Sequence, residues 1–138
     1  MPVAALVAWI ATAAAGLVLL GLWLGRSGPA QYRGGRSRFS PALIFSHFAL
    51  AAAGLAIWIG AIVFDAHPLR WASVAVLPVV AGLGVAMFLK WLGGRGAHAG
   101  RVELDPPAEQ RFPVIVVALH GTFAVATIGL AVLAATGG

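Results

Sequence analysis

Two histidines, His47 and His120, stand inside long apolar runs and are the side chains of this sequence best placed to do chemistry. An ionisable group is costly in such surroundings, so one found there is a functional candidate by default. Neutral imidazole carries one nitrogen lone pair, which can ligate a metal or metal-centred macrocycle or join a hydrogen bond between helices. The two histidines also share their context. Each is preceded at nine residues by an arginine and at eight by a phenylalanine, Arg38-Phe39 and Arg111-Phe112.

The elements that must position them follow from composition. The chain has 138 residues, 61% hydrophobic and only 9% charged. A soluble domain carries about 25% charged residues. Polar surface is too scarce here to coat a soluble globule, so the solvent is expected to be lipid. Four apolar stretches reach the roughly 20 residues a membrane helix needs, at about 3–24, 41–64, 69–89 and 113–135. Pro41 and Pro113 open the second and fourth, where a missing N–H does no harm. The expected fold is all-α: a four-helix transmembrane bundle forming one domain over residues 1–138.

Charge sets the expected topology. Arg26, Arg33, Arg36 and Arg38 fall in the first connection, and Lys90, Arg95, Arg101 and Arg111 around the third. Only Arg70 lies at the other end. Positive residues mark the cytoplasmic side, so both long loops are expected there and both termini outside, in a bacterial-type inner (plasma) membrane. The net charge of +5 therefore reads as membrane topology, with no nucleic-acid partner. The absence of cysteine excludes disulfides, iron–sulfur clusters and covalent c-type haem attachment.

The sequence reads as duplicated. Gly16 and Trp23-Leu24-Gly25 are matched 68 residues later by Gly84 and Trp91-Leu92-Gly93. The Arg-Phe…His segments match at an offset of 73. Two tandem helical hairpins, about 1–64 and 69–138, are expected around a pseudo-two-fold axis along the membrane normal. His47 and His120 then become symmetry mates on diagonal helices. Each should lie about 9–11 Å inside its span, close to the depth of Gly16 and Gly84.

Histidines on alternate helices, with glycines on the helices between, resemble the haem-binding four-helix core of membrane b-type cytochromes. The resemblance covers the bundle and not the loops. It implies one haem b ligated by His47 and His120, with Gly16 and Gly84 giving the macrocycle room. Arg38 and Arg111 are expected to pair with its propionates. Only one intramembrane histidine pair is present, so no chain of haems across the bilayer is implied. Two filled axial positions favour one-electron transfer over catalysis, and no residues are assigned as catalytic. The expected surroundings are the lipid bilayer, with quinone or another redox subunit as the exchange partner. The alternatives are a (bacterio)chlorophyll or metal-binding membrane protein and a cofactor-free structural subunit or small permease. His67 and His98 read as exposed loop residues. Glu103, Asp105 and Glu109 read as a solvated acidic loop.

Overall fold

The computed structural model describes residues 1–97 and 106–137. His98, Arg101, Glu103 and Asp105 lie outside the described residues. The chain forms α1 (Pro2–Gly25), α2 (Gly28–Arg33), α3 (Pro41–Val63), α4 (His67–Ala97), a 3-10 turn (Ala108–Arg111) and α5 (Val114–Thr136). Four of these, α1, α3, α4 and α5, are long and apolar enough to cross a membrane. The shortest have 23 residues, or about 34 Å of rise, against about 30 Å of hydrocarbon.

Local chemistry explains the helix starts. The Ser40 side chain accepts a hydrogen bond from the Leu43 N–H at 3.2 Å, and Pro41 follows it at the first helical position. Pro113 stands immediately before α5 and forces Phe112 into extended backbone. The expected third span ends too early. α4 continues from residue 89 to Ala97, because Lys90 to Ala97 is a change of polarity without a helix breaker. At its other end, His67 and Pro68 begin α4 instead of finishing a turn. The reversal is left to residues 64–66, where Asp65 takes φ 46°.

The four long helices form a ring in the order α1, α3, α4, α5, with α3 and α5 diagonally opposite. α1 packs most extensively on α5, and α3 on α4, so the bundle is two close pairs placed side by side. Its interior is filled only at the two ends. At the end carrying the termini, Ala5, Trp9, Trp58, Leu77, Ala131 and Ala134 form one cluster. At the end carrying the long loops, Trp23, Phe39, Ile44, Trp91, Ala108 and Phe112 form the other.

The two loops are tied together over that second cluster. Glu109 is fully buried and accepts from Ser37 Oγ and the Arg38 N–H, both at 2.8 Å. The Ala108 N–H donates to Gln31 Oε1 at 2.8 Å, and Arg26 donates to the Arg111 carbonyl at 3.0 Å. Glu109 is thus a buried clamp and not part of a solvated loop, since its carboxylate meets two donors that no other group satisfies.

Candidate functional site

Between the two clusters lies a cavity of about 850 Å³, lined by residues from all four long helices. Small-molecule and cofactor sites are usually apolar cavities of about 300–1,000 Å³ with a few convergent polar groups. Here the polar groups are few: His47, His120, Thr12, Thr127 and, near the loop end, Trp23 and Trp91. The lining reaches the outer surface at exposed Val85 and Val125 on α4 and α5.

The histidines are brought together across this space. Their ring centroids are 6.2 Å apart, with the planes at 62°. His47 Nδ1 lies 3.0 Å from the Val80 carbonyl oxygen on α4, and His120 Nδ1 lies 2.9 Å from the Thr12 carbonyl oxygen on α1. A carbonyl only accepts, so Nδ1 carries the hydrogen in both rings. In the neutral imidazole this leaves Nε2 as a bare lone pair. Neither Nε2 has a hydrogen-bond partner among the described residues. The arrangement matches a metal-ligating histidine, whose second nitrogen is held by a backbone carbonyl that fixes tautomer and orientation.

The glycines make these contacts possible. A Cβ on Gly16 would stand 3.0 Å from His120 Cε1 and 3.3 Å from its Nδ1. A Cβ on Gly84 would stand 3.2 Å from His47 Cε1. Each accepting carbonyl belongs to the residue four before the glycine, Thr12 before Gly16 and Val80 before Gly84. The imidazole therefore lies over the glycine to reach a carbonyl one turn back, using the lone pair that the helix hydrogen bond leaves free. The room that Gly16 and Gly84 leave is filled by imidazole, where sequence reasoning assigned it to a macrocycle edge. Gly54 similarly makes room for Trp9, whose ring would be 3.0 Å from its Cβ.

Arg38 and Arg111 are exposed, and neither lines the cavity. The phenylalanines after them do. Phe39 and Phe112 are buried, with centroids 6.1 Å apart, and close the loop end of the cavity. Successive side chains of extended backbone point opposite ways, so an Arg-Phe pair before a proline-started helix sends its arginine outward and its phenylalanine in.

Other site features were not read from sequence. The carbonyls of Thr12 and Val80 carry no sequence signal, because every residue has one. Thr12 Oγ1 and Thr127 Oγ1 are 3.1 Å apart, which fastens α1 to α5 one turn pair beyond His120. His67 Nε2 lies 2.9 Å from the Ala135 carbonyl oxygen, so it joins α4 to the end of α5 and has a partner after all. Trp58 Nε1 donates to the Pro2 carbonyl at 3.2 Å, whereas Trp23 Nε1 and Trp91 Nε1 are buried without an acceptor.

A bare metal ion finds too few ligands: among the described residues no three His, Cys, Asp or Glu side chains converge. No family model matches the chain, and neither a curated protein nor a solved structure matches it.

Proposed function

We propose that this chain is an integral membrane b-type cytochrome that holds one haem b between His47 and His120 and passes single electrons. The observation that carries the reading is the pair of imidazoles with Nδ1 committed to backbone carbonyls and Nε2 left bare in one apolar cavity. An ion held end-on by both rings at about 2 Å from each nitrogen sets the centroids about 6 Å apart, close to the 6.2 Å spacing found. Iron porphyrin brings four equatorial nitrogens of its own. It is therefore completed by two protein ligands, where a bare ion asks for three or four. The group would supply a ferric/ferrous couple, whose potential burial and ligand identity tune. The residues of this chain fix the ring orientation and keep water from the centre.

The symmetry of the contacts supports a chain built of two tandem hairpins. Thr12 and Gly16 serve His120 as Val80 and Gly84 serve His47, and both members of each pair are 68 residues apart. The close helix pairs, α1 with α5 and α3 with α4, exchange under the same two-fold. The eight-to-one division of basic residues favours a plasma-membrane protein with its long loops in the cytoplasm. Electrons then pass to or from a lipid-phase quinone or another membrane subunit.

A cofactor-free structural subunit would use the histidines only as staples between helices. That reading accounts for Nδ1 and leaves two bare acceptors facing an apolar space, which is unfavourable. The test is the absorption spectrum of the purified protein after addition of ferric haem. A Soret shift, with sharp α and β bands on reduction, supports six-coordinate haem. An unaltered free-haem spectrum refutes it.

A further inference from the structure

The cavity has a second polar pole, distinct from the histidine layer. Trp23 and Trp91 are 68 residues apart and line the cavity near its loop end. They are 0% and 5% exposed, and neither indole N–H has an acceptor among the described residues. Tryptophans at a membrane interface normally keep the N–H in water or headgroups. These two have no access to water, and buried N–H groups without partners are rare enough to require an explanation. Trp58, equally buried, has its acceptor.

The spacing supplies the explanation. Trp23 is seven residues beyond Gly16, and Trp91 seven beyond Gly84. Both indoles therefore sit about 10 Å along the helix axis from the histidine layer, on opposite halves of the bundle. This is comparable to the reach from the centre of a tetrapyrrole to the carboxylates on its edge. Arg38 and Arg111, the charged alternatives, stand outside the cavity behind Phe39 and Phe112.

We infer that the indole N–H groups of Trp23 and Trp91 are the paired donors for two carboxylates on one edge of the ligand. This rests on the haem reading and deepens it. The site then selects a dicarboxylate macrocycle by two neutral donors in an apolar wall, with the iron ligands at the opposite pole. A hydrogen bond from each indole to an ionised oxygen is charge-assisted and short.

The test compares iron protoporphyrin with its dimethyl ester, which blocks both carboxylates. Both are titrated into the full-length chain in lipid nanodiscs and followed by the Soret shift. The wild type is expected to bind the free acid at least about tenfold more tightly than the ester. Trp23→Phe with Trp91→Phe keeps the rings and removes both N–H groups, and is expected to bind acid and ester alike. Retained ester binding shows that this variant is folded. Arg38→Gln with Arg111→Gln is expected to keep the preference. If the tryptophan variant retains the wild-type preference, or the arginine variant loses it, the inference is overturned while the haem reading stands. If the wild type binds neither compound, the haem reading fails and takes the inference with it.

Discussion

Gly16→Ala and Gly84→Ala each add a single methyl group against a ligand-bearing ring. At Gly84 the new Cβ would lie 3.2 Å from His47 Cε1, and at Gly16 it would lie 3.0 Å from His120 Cε1 and 3.3 Å from Nδ1. Comfortable carbon contacts are about 3.5–4.0 Å, so the rings must retreat by about 0.3–0.5 Å or more. The Nδ1 hydrogen bonds, now 3.0 and 2.9 Å, then stretch toward the limit of about 3.5 Å beyond which such a contact no longer counts. Overpacking of this kind costs about 1–3 kcal/mol, or about 5- to 150-fold in haem affinity. Gly16→Ala should be the more damaging, because its Cβ meets two ring atoms closely. The helix itself gains up to about 1 kcal/mol from alanine, so thermal stability without ligand should change little. Gly82→Ala is the control: nothing lies within 4 Å of its Cβ, two residues from Gly84 on the same helix. The assay is haem titration of the purified protein by Soret absorbance. If Gly16→Ala and Gly84→Ala bind haem as tightly as Gly82→Ala, the glycines do not seat the imidazoles and the proposed geometry is wrong.

Other variants separate ligation from folding. His47→Ala and His120→Ala should each abolish six-coordinate haem while leaving the helical circular dichroism unchanged, since the Val80 and Thr12 carbonyls keep their helix partners. Glu109→Ala strands the Ser37 hydroxyl and the Arg38 N–H and should lower stability by about 1–3 kcal/mol, seen as earlier thermal unfolding; an unchanged midpoint would remove the loop clamp from the account. Thr127→Val breaks the hydroxyl pair between α1 and α5 and should cost only about 0.6 kcal/mol in the same assay, well below Glu109→Ala.

Much of the bundle was readable from hydropathy alone, because lipid demands long apolar helices and little else satisfies a buried backbone. The four helices fall where the apolar runs fall, and their starts follow Ser40-Pro41 and Pro113. Polarity misled where it changed without a helix breaker, as at Lys90 to Ala97, and where polar residues hid short helical turns such as α2. The pairing of the histidines was readable because both carry the same context at the same depth. What they hold was not: their partners are backbone carbonyls, which no side-chain pattern reports. The Arg-Phe pairs drew attention to the charged residue, whereas proline-directed extended backbone turns the phenylalanine inward. Glu109 looked like one acid among several, and only the fold of two distant loops reveals its donors.

The central claim is that His47 and His120 hold one haem b, and pyridine haemochrome analysis of the protein purified from haem-replete cells tests it most directly. The account predicts the haem b spectrum at one haem per chain, lost when either histidine is replaced by alanine. A colourless protein with both histidines intact, or a pigment other than haem b, would contradict it.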